Sequence, residues 1–85
     1  MQITLRLFAG LRETLGVSCE NLTLPDNTRT AQDVLHALHA RGGSWAEALS
    51  DASAFRVAVD QAMGSIDSLV HDGAELAFFP PVTGG

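Results

Sequence analysis

The chain has 85 residues, of which 46% are hydrophobic and 18% charged, and a formal net charge of −5. That length suits one compact domain, since two cores of this total size would each bury too little surface to be stable. The acidic balance argues against nucleic acid or an anionic membrane as partner, because either needs a basic patch, and a single cysteine, Cys19, excludes an internal disulfide and a cysteine-held zinc or iron–sulfur centre.

Taken in chain order, Gln2 to Phe8 alternate, with Ile3, Leu5 and Leu7 on one side and Thr4, Arg6 and Phe8 on the other, which predicts a half-buried strand. Ala9 to Leu15 suits a short helical turn that Gly16 closes. Cys19 to Leu24 is a second strand with Leu22 and Leu24 facing in, broken by Pro25-Asp26-Asn27. Thr30-Ala31-Gln32-Asp33 reads as a capping box, followed by a stripe of Ala31, Val34, Leu35 and Leu38, and Gly42-Gly43 is expected to stop that helix. Ser44-Trp45-Ala46-Glu47 repeats the box pattern and predicts a shorter helix to about Leu49.

Phe55, Val57 and Val59 alternate with Arg56 and Ala58 as a third strand, and Gln61 to Ile66 is a weakly patterned fourth. Asp72-Gly73 is a turn that launches Glu75 to Phe79, with Leu76 and Phe78 opposite Glu75, Ala77 and Phe79. Pro80-Pro81-Val82-Thr83-Gly84-Gly85 cannot continue a ladder, because consecutive prolines remove donors. Strands at both ends with helices between them predict an α+β domain, helices packed on one face of a mixed sheet. The segment Met1–Arg6 lacks the basic start and unbroken apolar run of a secretion signal, and no run is long enough to span a bilayer, so a cytoplasmic location is expected.

Catalytic constellations are sparse. His36 and His39 sit at helical spacing with Asp33 one turn earlier, but nothing is placed to close such a site, so a solvated helix face is preferred and no metal is expected. His71, beside Asp72-Gly73, reads as a loop residue. Cys19 stands alone, with no second cysteine and no motif of a reactive thiol around it, which favours a structural thiol over a nucleophile or persulfide carrier. With neither a nucleophile elbow nor a phosphate-binding glycine loop, catalysis by this chain alone is not expected. All five cations are arginines, so no lysine side chain is available for a Schiff base or to accept an isopeptide bond.

The C-terminal run Ala77-Phe78-Phe79-Pro80-Pro81-Val82-Thr83-Gly84-Gly85, preceded by Asp72-Gly73-Ala74-Glu75-Leu76, resembles the terminal signature of the molybdopterin synthase small-subunit family nearly residue for residue. Leu7-Phe8-Ala9-Gly10-Leu11-Arg12-Glu13 looks like the first strand and turn of that family, and Val57-Ala58-Val59-Asp60-Gln61 like its central strand, with Asp60 a departure where many relatives have asparagine. The resemblance spans the whole domain and is strongest at both ends. It implies a ubiquitin-like β-grasp fold of about five strands over residues 1–79, followed by a flexible tail, 80–85.

It also implies a cycle. A ubiquitin-activating-like enzyme uses ATP to adenylate the Gly85 carboxylate, a sulfur donor turns the adenylate into a thiocarboxylate, and the loaded tail enters the large synthase subunit. There two carriers per product deliver sulfur to a cyclic pyranopterin phosphate, in a complex that the family forms as a heterotetramer. No cofactor is bound by the carrier itself. A diglycine end suits a narrow channel, since Gly84 and Gly85 have no side chains and Pro80-Pro81 stiffen the exit, with Thr83 between. If the first and last strands are neighbours, Phe8 and Phe79 project from the face opposite the helices, and with Met63, and Arg12 at the rim, they form the expected docking face. Three other readings stay open: a carrier for thiamine synthesis or tRNA thiolation, a ubiquitin-like protein modifier, and a redox protein acting through Cys19.

Overall fold

The alternating start of the chain forms strand β1 (Gln2–Leu7), in which Ile3, Leu5 and Leu7 are buried and the residues between them are not. Phe8 leaves the strand extended and caps helix α1 (Ala9–Leu15). Gly16 ends that helix at φ 71°, in the left-handed region that favours glycine, and its N–H donates to the Arg12 carbonyl at 2.9 Å. Strand β2 (Cys19–Thr23) then returns antiparallel to β1, placing Leu22 opposite Ile3. In all, the computed structural model describes residues 1–50 and 55–79.

Helix α2 (Ala31–His39) starts on the expected capping box: Asp33 N–H donates to Thr30 Oγ1 at 3.2 Å, and Thr30 N–H donates to Asp33 Oδ2 at 3.1 Å. Asp33 Oδ2 also accepts from Arg29 N–H, and these two backbone donors hold its pKa below the usual carboxylate value. Ala31, Val34, Leu35 and Leu38 are buried along one stripe, as the spacing requires.

Two expectations need correction here. Helix α2 stops at His39, before Gly42-Gly43, and helix α3 (Gly43–Ala48) is capped by Gly42 without a side-chain bond, so Ser44 lies inside the helix and caps nothing. The cause is the backbone of the two glycines, at φ 74° and 53°, which turns the chain into the new helix one residue before the serine. Arg41, just past α2, forks onto the Glu20 carboxylate of β2 and lies over the Trp45 ring of α3, 4.6 Å from its centroid, tying three elements together. That pairing lowers the Glu20 pKa and raises that of Arg41.

Strand β3 (Arg56–Val59) pairs antiparallel with β4 (Ala62–Gly64) through a two-residue turn, Asp60 and Gln61, at φ 50° and 70°. Tight hairpins favour positive φ at both turn positions, and aspartate tolerates it better than most residues. Strand β4 is shorter than the expected 61–66 segment, and its three residues are all exposed, which explains its weak hydrophobic pattern. Strand β5 (Glu75–Phe79) runs parallel to β1 and antiparallel to β3, giving the sheet order β2-β1-β5-β3-β4.

This is the expected α+β, β-grasp architecture with a five-stranded mixed sheet. Leu5, Val34, Val57, Leu76 and Phe78 have no exposed surface and form the centre of the core, with Leu11 of α1 and Leu49 at its margins. Among the described residues no helix is long and apolar enough to cross a membrane.

Candidate functional site

Because side chains alternate along a strand, the register that buries Leu5, Leu7, Leu76 and Phe78 sends their neighbours to the other face. Arg6 stands opposite Cys19 on β2 and Ala77 on β5, while Ala58 on β3 stands opposite Ala77 and Met63. One row therefore crosses all five strands. Beside it, Phe8 and Phe79 stack with ring centroids 4.8 Å apart and planes 10° from parallel. The two alanines are the small members of the row, and between them, the phenylalanines and Met63 the surface sinks into a depression of about 310 Å³.

Arg6, Gln61 and Glu75 complete its lining. Arg6 Nη1 lies 3.3 Å from Glu75 Oε1, and its guanidinium carbon is 5.7 Å from the Phe8 centroid, so one side chain joins the charged and aromatic parts of the face. Met63 is 62% exposed and adds its apolar side chain to the rim of the depression. Such a surface, apolar at its centre and charged at its edge, matches the anatomy of a protein-binding patch.

The structure thus brings Phe8, Met63 and Phe79 together as expected. Arg12 is exposed on α1 and does not line the depression; the cation that does is Arg6. Arg6 was legible in the sequence only as an outward strand residue, since its place beside Ala77 depends on the parallel β1–β5 pairing. Pro80, Pro81, Thr83, Gly84 and Gly85 lie outside the described residues. The tail they form begins directly after Phe79, one half of the aromatic pair.

The other candidates have simpler roles. Asp33 spends its carboxylate on the cap of α2, and among the described residues no group of three or more His, Cys, Asp or Glu is arranged to hold a metal. Cys19 is an exposed free thiol at the start of β2.

Over residues 5–85 the chain matches the ThiS family. It is similar to the molybdopterin synthase sulfur carrier subunit of Haemophilus influenzae, 42% identical over 78 residues that cover 92% of this chain and 93% of that one. The protein of the same name in Escherichia coli is 36% identical over 98% of this chain and 99% of its own. Among solved structures, small archaeal modifier protein 1 of Haloferax volcanii superposes with a TM-score of 0.75 at 25% identity, covering 95% of this chain and 98% of that one. With the family match reaching from β1 to Gly85 and both sequence relatives aligned over nearly their full length, the chain belongs to the ThiS family.

Proposed function

We propose that this chain is the sulfur-carrier subunit of a molybdopterin synthase and that the carboxyl of Gly85 carries the sulfur. The observation that carries this reading is the 42% identity, over 92% of the chain, to a relative named for that role. The Gly-Gly end of the sequence supplies the chemistry. A free carboxylate resists nucleophiles because oxide would have to leave. Adenylation by a partner enzyme, at the expense of ATP with release of pyrophosphate, makes a mixed anhydride from which AMP departs. A sulfur donor then replaces AMP at the acyl carbon and leaves a thiocarboxylate, an anionic nucleophile.

In the large subunit the loaded tail donates sulfur to a cyclic pyranopterin monophosphate, and two loaded carriers complete the dithiolene. The domain's part is docking: the Phe8, Met63 and Phe79 face, with Arg6 at its edge and with Arg12 of α1 as a further contact, is used in turn by the activating enzyme and by the large subunit. The likeness to a small archaeal modifier protein favours one second reading, in which Gly85 is joined by an amide bond to a target lysine.

Intact-mass analysis of the protein from cells that make molybdenum cofactor separates the two. An oxygen-to-sulfur mass change at Gly85 supports the carrier, and covalent conjugates through Gly85 without it support the modifier. Deleting Gly85 shortens the reach by about 3.3 to 3.6 Å of extended chain, beyond the tolerance of a near-attack geometry. The deletion is therefore expected to abolish single-turnover conversion of precursor while the domain folds normally. Gly84→Ala keeps length and carboxyl but restricts the backbone, and should dock normally yet transfer sulfur poorly. Wild-type rates without Gly85 would refute the mechanism.

A further inference from the structure

His71 is the one described histidine whose two ring nitrogens both meet oxygen atoms. Nδ1 lies 2.9 Å from the Asp72 carbonyl oxygen and Nε2 lies 2.7 Å from Asp60 Oδ2. A carbonyl oxygen only accepts, and so does an ionised carboxylate, so both contacts are hydrogen bonds only when the ring carries two protons. Asp60 is fixed from its other side as well. Its Oδ1 accepts from Glu75 N–H at 2.9 Å, while its own N–H donates to the Glu75 carbonyl at 2.8 Å. The aspartate side chain thereby continues the β3–β5 ladder one step past the Val59–Leu76 pair.

The loop that carries His71 is anchored in turn to β1, since Gln2 N–H donates to Asp72 Oδ1 at 2.7 Å and Thr4 N–H to the Ala74 carbonyl at 2.8 Å. The Asp60–Gln61 turn, the 71–74 loop and the first residues of β1 and β5 are thus fastened at one point. Two residues of that assembly, Gln61 and Glu75, line the outer depression.

We propose that Asp60 and His71 form a proton-dependent clasp that positions Gln61 and Glu75 at the edge of the docking face, so that docking weakens when the imidazolium loses its proton. The proposal rests on the docking role assigned to that face above. The charged groups that act on His71 are Asp60 from the β3–β4 turn and Asp72 from its own loop; Glu75 of β5 reaches the pair only through its backbone, its carboxylate being paired with Arg6 of β1. The backbone carbonyl of Asp72, then the Asp60 carboxylate, raise the His71 pKa above its ordinary 6.5; the Glu75 N–H and then His71 lower that of Asp60 below 3.8. The signs follow. The His71 contribution is complete below 6.5 and is lost as pH rises through the raised folded value, whereas that of Asp60 is complete above 3.8 and lost as pH falls through its lowered value. The clasp therefore has both ring bonds in mildly acid solution and keeps only one of them on the alkaline side, where the neutral ring has a single N–H and the charge attraction to Asp60 is gone.

Asp60→Asn is the discriminating variant, because asparagine tolerates positive φ, still accepts from Glu75 N–H, and donates to a neutral His71. NMR titration of the free, full-length carrier should show the Gln61 and Glu75 amides moving with the His71 ring, and a lower His71 midpoint in Asp60→Asn with the fold intact. Docking to the large subunit should weaken about two- to fivefold across the His71 titration in the wild type, as suits an exposed pair. In Asp60→Asn the same pH range should leave docking flat. An identical His71 midpoint in the two proteins, or Gln61 and Glu75 amides indifferent to it, overturns the clasp. A docking profile that changes equally in both proteins overturns its link to the docking face, and absence of docking at every pH removes the docking role itself while the NMR titration still decides the clasp.

Discussion

The two faces of the sheet are made by alternate residues of the same strands and are opposite in character. On the inner face Leu5, Val57, Leu76 and Phe78 meet the helices and have no exposed surface. On the outer face Phe8 and Phe79 stay partly exposed, Met63 is 62% exposed, and an exposed Arg6 pairs with a partly buried Glu75. A sheet of this kind puts core and outer-surface residues side by side in sequence, since a step of one along a strand changes the face. Phe78 and Phe79 are the sharpest instance: the same side chain in consecutive positions, one fully buried in the core and the other in the outer aromatic pair.

The largest expected effect tests that separation directly. Phe78→Ala removes a fully buried ring from the centre of the core and should cost about 3 to 5 kcal/mol of stability, much of what a small domain has. Phe79→Ala should leave the fold largely in place and weaken docking to the activating enzyme and the large subunit by about 1 to 4 kcal/mol, the range for a central aromatic anchor. Denaturant unfolding and binding titrations on both variants read the two costs independently. Full affinity for both partners in a Phe8→Ala/Phe79→Ala protein would leave the outer face without its role, and equal stability losses at 78 and 79 would break the comparison.

A smaller effect belongs to the helix side. Thr30→Ala deletes the hydroxyl that accepts from Asp33 N–H, an interaction worth about 1 kcal/mol in such caps. Stability should fall by that amount, with docking unchanged, because α2 lies across the sheet from the outer depression. A docking defect without a stability change would mean that the two faces are coupled more tightly than their contacts indicate.

How far these faces could be read from the sequence depended on whether the signal was local. Strand alternation in β1 and β5 and the Thr30–Asp33 box are periodic or contiguous, so their burial and hydrogen bonds follow from spacing alone. Ser44 misled because the capping pattern says nothing of two preceding glycines free to start the helix early. The fourth strand was faint because an exposed edge strand has no buried residue to set a period. The place of Arg6 rather than Arg12 at the depression, and the meeting of Asp60 with His71, come from pairing between segments distant in the chain, and no local pattern encodes such partners. The aromatic pair could be anticipated only through the β1–β5 adjacency that the family resemblance implied.

The smallest expected effect concerns Cys19, which makes the outer face a test of chemistry as well as of docking. Its register partner is Arg6, so the thiol stands at the β2 edge of the same face that carries Phe8 and Phe79. It is exposed, which leaves it free to react and also leaves little packing to lose. If sulfur travels on the acyl carbon of Gly85, the thiol has no step to perform, and Cys19→Ser replaces one small exposed group by another. Stability should then change by less than about 0.5 kcal/mol, as for surface substitutions away from caps and cores. Sulfur transfer in a reconstituted single turnover should keep the wild-type rate. Loss of transfer in a folded, docking-competent Cys19→Ser protein would move the sulfur-carrying atom from the tail to the sheet, and the outer face would then be a reaction surface rather than a handle.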